Sequence, residues 1–258
     1  MAVVCLSAVL AVSTAVDPVR AKTCTLPTYY AGMPYPVEEV APRWTCQVQN
    51  VVANSTTANK MGPVRLRIPF HAYDYLLDHP DIAAALVNRL DLGPYKAEMK
   101  GPGRFWGTDG EGNQGLVQIL HQGDGARMYL LDGTHDGRIL PQLRGTAVVL
   151  VQARPSTLPD GIETVEADIV AYLQVHNRFI AGAAALLRPM AGALVRRQMQ
   201  KAVQAAVGLS NAMRTDPDRV LFEATDPPSL PDQAVDFLQA TLSAFQDPGK
   251  RSHTVTPP

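Results

Sequence analysis

The side chains able to catalyse, coordinate or cradle a ligand are thinly spread in this chain, and their spacing argues mostly against chemistry. Six histidines are present, and none stands in an HExxH or HxH pattern or beside a cysteine at metal-ligand spacing. His71 and His79 read as a strand-end residue and a helix-start residue. No GxSxG elbow occurs, and no cysteine lies in a nucleophile motif, so acyl transfer has no visible nucleophile. Gly101-Pro102-Gly103 and Gly110-Glu111-Gly112 lie between strand-like runs and lack the following helix whose N-terminus would hold a phosphate, so they read as hairpin turns. Asp109-Gly110-Glu111-Gly112-Asn113 looks superficially like a calcium loop, but lacks the distal acidic residue and the flanking helices. The expectation is a protein with no metal site, no catalytic residue and no cofactor.

Bulk properties narrow the classes further. The 258 residues carry 23 Lys and Arg against 24 Asp and Glu, a net charge of -1, which leaves no global positive field to hold a polyanion and excludes nucleic acid as the expected partner. Hydrophobic residues make up 46% of the chain, enough for a sizeable core in one large domain or two small ones. Three cysteines rule out a disulfide-dense miniprotein and the paired CxxC zinc frameworks.

The apolar run at residues 2–16 is too short to span a bilayer comfortably and reads as the core of a signal peptide over residues 1–21. The absence of a preceding Lys or Arg leaves a buried strand or helix as the alternative. With a small-residue cleavage site near Val19-Arg20-Ala21, the mature chain starts near Lys22 and keeps Cys24 and Cys46. In an oxidising compartment that even pair suits one disulfide; without export, two buried thiols are the competing reading. Lys22-Thr23 is a poor approach to a lipoprotein cysteine at Cys24. The expected location is exported, periplasmic or secreted, and otherwise cytoplasmic.

Residues 22–62 read as an N-terminal arm with one strand-like stretch, Trp44–Val48, and a polar linker, Ala53–Asn59. Val64–Ile68 alternates as a strand with one wet face. Two short helices follow, one over Ala72–Leu77 and one from Pro80, a favoured first-turn residue, to Gly93. Beyond Pro94, short alternating runs broken by Asp-Gly and Gly-rich turns predict antiparallel strands near 95–100, 104–108, 115–121, 126–132, 144–153 and 162–175. In the last of these Val165, Ala167, Ile169, Ala171, Leu173 and Val175 share one face. A helical period then runs over 177–214, to be bent at Pro189, and a final amphipathic stretch covers Asp232–Phe245 before a tail expected to be disordered. The predicted division is an arm at 22–62, a domain at 63–214, and a C-terminal extension at 215–258 outside the compact core.

One strand, two short helices, six antiparallel strands and a long helix make up the element order of the helix-grip fold. Over about residues 64–214 the chain resembles the START-related superfamily of birch-pollen-allergen-like proteins and polyketide cyclases. Leu76-Leu77-Asp78-His79-Pro80-Asp81 and Gly101–Gly107 are the local stretches that carry the likeness. The resemblance implies an α+β fold, a seven-stranded curved antiparallel sheet wrapped around the long C-terminal helix, with a cavity between them for a lipid, sterol, polyketide or other apolar ligand. The small-residue runs Ala181–Ala185 and Ala191–Ala193 either permit close packing or leave volume beneath the sheet.

On that fold the strands carrying Arg104, Trp106, His121, Arg127 and Tyr129, the inner face at Ile169 and Leu173, and the helix positions Ala184 and Leu187 are the expected ligand-binding set. Arg104 and Arg127 solvated on the convex face, with the tyrosines filling the core, is the competing reading. Either Phe105 or Trp106 must face inward, since they straddle one strand. The expected function is an exported START-like protein that binds or carries an apolar small molecule, with transient membrane contact for ligand exchange. A cyclase or dehydratase on the same fold is the alternative, recognisable if His121, Arg127 and Tyr129 converge in the cavity, and an interaction protein with a filled core is the third reading.

Overall fold

The computed structural model describes residues 23–123, 125–136, 143–176 and 184–246, with the backbone alone for 184–188 and 246. The chain opens with a small hairpin, β1 (Tyr29–Tyr30) and β2 (Met33–Pro34), then α1 (Pro42–Ala53), β3 (Thr57–Leu66), α2 (Phe70–Asp78) and α3 (Pro80–Arg89). A meander of six strands follows: β4 (Lys96–Gly101), β5 (Arg104–Thr108), β6 (Asn113–Gly123), β7 (Ala126–His135), β8 (Leu143–Thr157) and β9 (Glu163–Val175). The chain closes with α4 (Ala184–Thr215), α5 (Pro217–Thr225) and α6 (Asp232–Gln246).

All seven large strands form one antiparallel sheet in the order β3-β9-β8-β7-β6-β5-β4, so the first strand lies beside the last. With two short helices between β3 and β4 and a long helix after β9, this is the helix-grip arrangement, an α+β fold with a curved sheet. A transverse row of glycines supports the bending. Gly107 pairs with Gly115, Gly115 with Gly133, and Gly133 with Gly145, so four adjacent strands cross at positions without side chains. A Cβ built on Gly133 would stand 2.6 Å from the Gln114 carbonyl oxygen.

The central strands β7, β8 and β9 are buried on both faces. Val151, Ala153, Val165 and Ala167 on the inner face join Leu66, Ile68, Leu86 and Leu209 in the larger core. Met128, Leu130, Val148, Leu150 and Val170 on the outer face join Tyr30, Met33, Tyr35, Val40, Val48 and Val51 of the N-terminal segment in a second core. That segment is therefore a cover over the outer face, and Cys24 and Cys46 form a disulfide that ties its start to α1.

Several sequence expectations change. Trp44–Val48 is helical, not extended: Pro42 starts α1, and Val48 and Val51 are its buried side. The stretch expected to be a linker ends in β3, which begins at Thr57 and tolerates polar residues because it is an edge strand bonded to β9 alone. Its register shifts between Met61 and Val64, and a Cβ on Gly62, at φ +131°, would collide with Asp168 and Ala167. Residues 215–246 lie inside the compact core, since Val220, Ala224, Leu230, Ala234, Leu238 and Leu242 are buried there. Asp216 caps α5 through the Arg219 N–H, with Pro217 at the first turn. Arg89 of α3 donates to the Glu223, Asp226 and Pro228 carbonyls at the other end of α5. Pro189 sits near the start of α4. The proposed signal segment 1–21, residues 177–183 and the tail beyond 246 lie outside the described residues.

Candidate functional site

Between the α2–α3 pair, α4 and the inner face of the sheet lies a cavity of about 290 Å³. Its walls follow from small residues facing one another. Ala83 and Ala84 on α3 look toward Ala202, Ala205 and Ala206 on α4, where spacings of three and four residues keep the alanines on one stripe. Leu66, Ile68, Leu76, Leu77, Val87 and Leu209 supply the aliphatic walls, and Tyr73, Tyr95, Tyr129 and Ser210 the polar atoms. No ionised side chain lines the cavity among the described residues.

The polar atoms present are neutral. Burial pushes the phenols of Tyr73 and Tyr129 far above their ordinary value of 10.0, and burial followed by the charges of Asp109 and Glu111 raises that of Tyr95. Tyr129 donates to the Leu77 carbonyl at 3.0 Å, satisfying one of the carbonyls left over at the C-terminal end of α2. Ser210 donates to the Val207 carbonyl at 2.9 Å.

An ion cluster behind this wall fixes α2 to the sheet. Asp74 and Asp78 are one helical turn apart and present their carboxylates on one side of α2. Arg127 of β7, 1% exposed, places Nε 2.5 Å from Asp78 Oδ1 and Nη2 2.8 Å from Asp74 Oδ1, and donates from Nη1 to the Ala126 carbonyl at 2.9 Å. Burial alone would lower the guanidinium pKa, but Asp78 and then Asp74 more than offset this and hold it above its ordinary value. Arg127 and Tyr129 together set the position of the helix that roofs the cavity.

Of the seven expected ligand-binding residues whose side chains are described, Tyr129 alone lines the cavity. Arg127 is on the inner side, committed to its two carboxylates. Ile169 and Leu173 are also on the inner side of β9, with Ile169 against the larger core, and neither borders the cavity. Arg104 and Trp106 point the other way: Arg104 pairs with Gln118, which pairs with Leu130 of the outer core, while buried Phe105 pairs with Val117 and takes the inner face. His121 is likewise on the outer side. A register shift between Ile119 and His121 turns its ring to the outer core, 5.7 Å edge-on from Tyr35 with Nδ1 3.4 Å from Glu39 Oε2. The side chains of Ala184 and Leu187 lie outside the described residues. On α4 the small residues that border the cavity are Ala202, Ala205, Ala206 and Ser210, while the side chains of 181–188 lie outside the described residues. The facing alanine stripes of α3 and α4 were the available signal for it.

No helix among the described residues is long and apolar enough to cross a membrane, and no cluster of three His, Cys, Asp or Glu residues among them is placed to hold a metal ion. No protein-family model matches the chain, and no curated protein matches it by sequence. A conserved protein from Geobacillus kaustophilus aligns over 60% of this chain and 95% of its own, at 10% identity and a TM-score of 0.38. For an uncharacterised protein from Rhizobium leguminosarum the values are 60%, 93%, 12% and 0.33, and for Ara h 8.0201 they are 60%, 97%, 15% and 0.28. Scores this low leave the fold assignment resting on the strand order and helix placement described above.

Proposed function

We propose that this protein binds or carries an apolar small molecule, of the lipid or sterol kind, in the cavity between α4, the α2–α3 pair and the sheet. The observation that carries this reading is a space of about 290 Å³ lined by aliphatic, aromatic and neutral hydroxyl groups, close to the lower end of the roughly 300–1,000 Å³ usual for ligand pockets. Nothing ionised faces into it among the described residues, so an apolar body entering it strips no charged side chain of its solvation. A cyclase needs titratable groups converging on the substrate. His121 is on the other face and Arg127 is held by two carboxylates, which favours binding over that chemistry. The Cys24–Cys46 disulfide supports an exported protein, as does the apolar run at residues 2–16. Transient membrane contact for ligand exchange belongs to the same proposal.

The test is titration with N-phenyl-1-naphthylamine, a neutral apolar fluorophore. Saturable uptake near one equivalent is expected, with an affinity loss of at least about tenfold in Ala205→Trp. An absence of saturable uptake by the folded protein overturns the proposal in favour of a filled core. Organic extraction and mass spectrometry of protein exported by its own N-terminus then identify the cargo and the mature start.

A further inference from the structure

A second cleft, of about 190 Å³, abuts the apolar cavity, and Tyr95 borders both. The same two elements build the pair. On α4, Ala202, Ala205 and Ala206 face the cavity, while Gln198, Lys201 and Gln204 on the adjacent stripe face the cleft. The loop Leu92-Gly93-Pro94-Tyr95 borders the cleft, with Tyr95 as the ridge it shares with the cavity, and the Asp109–Gly112 turn closes the far side. That ridge can lie close because two positions lack side chains. A Cβ on Gly93 would stand 2.7 Å from the Tyr95 ring, and one on Gly208 of α4 would stand 2.9 Å from Leu92.

The chemistry of the cleft differs from that of the cavity. Asp109 is already engaged: Oδ1 accepts from the backbone N–H groups of Glu111 and Asn113, at 2.8 and 3.0 Å, and Oδ2 accepts from Asn113 Nδ2 at 2.5 Å. Glu111 forms an ion pair with Lys201 across the cleft, linking the turn to α4. Two carboxylates against one ammonium disfavour a phosphate or carboxylate head. Lys201 stands against a cationic one. Two primary amides beside an ammonium and a carboxylate offer donors and acceptors together, which is the complement of hydroxyl groups.

Resting on the cavity reading above, we infer that the ligand is a neutral hydroxylated amphiphile, its apolar body in the cavity and its hydroxyl head in the Gln198–Lys201–Gln204–Glu111 cleft, passing beside Tyr95.

Displacement of N-phenyl-1-naphthylamine by four competitors that share a twelve-carbon chain tests this: 1-monolauroylglycerol, methyl laurate, laurate and dodecylamine. Monolauroylglycerol should bind roughly tenfold more tightly than methyl laurate, because its hydroxyls gain partners that the ester lacks. The Glu111→Gln, Lys201→Met double variant should reduce that preference to within about twofold while leaving the fluorophore and methyl laurate affinities unchanged. Single Glu111→Gln, a near-isosteric change at a partly exposed side chain, repeats the test if the double variant folds poorly. Laurate or dodecylamine binding more tightly than monolauroylglycerol overturns the inference, and so does an equal shift of all competitors in the variants. Failure of the fluorophore to bind at all instead overturns the cavity reading on which it rests, so the two failures are distinguishable.

Discussion

Ala205→Leu probes the cavity by the sign of its effect. Ala205 is 5% exposed and its methyl faces the cavity, so the substitution sends three further carbons into that space. At about 0.8 kcal/mol per buried methylene the transfer gain is at most ~2.4 kcal/mol, and fixing the leucine rotamer takes back roughly 0.5–1 kcal/mol, leaving a net stabilisation of about 1–2 kcal/mol. Ala and Leu are both good helix formers, so α4 itself changes little. If the alanine stripes were packed against neighbours, the same change would overfill the site and destabilise by about 1–3 kcal/mol. Urea unfolding reads the difference as a shift of the midpoint at constant slope. The reasoning expects a higher midpoint for Ala205→Leu together with weaker uptake of the apolar fluorophore. A lower midpoint with uptake unchanged refutes it, because the side chain would then have met packed atoms and the probe would lie elsewhere.

Three other outcomes follow from the same geometry. Arg127→Met should destabilise by about 3 kcal/mol, at the low end for a broken buried ion pair because Asp74 and Asp78 retain 34% and 28% of their side-chain exposure. In a double-mutant cycle Asp78→Asn should cost less in that background than in the parent, and strict additivity in urea unfolding would contradict the coupling. Reducing the Cys24–Cys46 disulfide, which spans a sequence separation of 22, should cost about 3 kcal/mol through the freed arm, and an unchanged melting temperature in reductant would show that the arm docks without it. Alkaline titration should give delayed tyrosinate absorbance, because burial raises the phenols of Tyr30, Tyr35, Tyr73 and Tyr129 above 10.0. The unfolded chain releases these protons near pH 10 and the folded chain keeps them. Stability is therefore full below pH 10 and falls as pH rises beyond it, by up to about 1.4 kcal/mol per unit for each phenol. Smooth ionisation of all tyrosines near pH 10 with circular dichroism intact would contradict this.

Strong local patterns specify their elements in the sequence, whereas short apolar runs and faces that depend on strand pairing do not. The alternation from Val165 to Val175 assigns the inner face of β9 without knowledge of its neighbours, because the pleat fixes it. Pro80 marks the start of α3 for an equally local reason, its fixed φ and missing donor. Arg104 and Trp106 were misplaced because their face depends on how β5 meets β6, a relation set across strands. His121 was misplaced because one shifted register turns every later side chain of β6 over, and nothing adjacent to Leu120 signals it. Trp44–Val48 shows the ambiguity of a short apolar run, where β-branched and aromatic residues suit a strand and a period of four suits a helix. The cavity lay beyond local reading altogether, because the alanines of α3 and α4 are more than a hundred positions apart and meaningful only once they face each other.

The pleat of β7 and β8 divides two tasks between neighbouring residues. Met128, Leu130, Val148 and Leu150 point to the arm and hold the outer core, while Arg127, Tyr129, Val149 and Val151 between them point to the helices. Antiparallel sheets commonly keep one side wet, and a cavity on the other side then weakens the only core available. Here the arm buries the outer face completely at Met128, Val148, Leu150 and Val170, so the strands are anchored from behind and the inner side can hold an apolar space. Substitutions at the inner positions can therefore alter the shape of the cavity without removing the contacts that keep the strands in register. The same separation explains why polar anchoring of α2 is placed on β7, through Arg127 and Tyr129. These are the inner residues of a strand whose outer residues are packed into the second core, so the roof of the cavity is positioned from a strand buried on its far side.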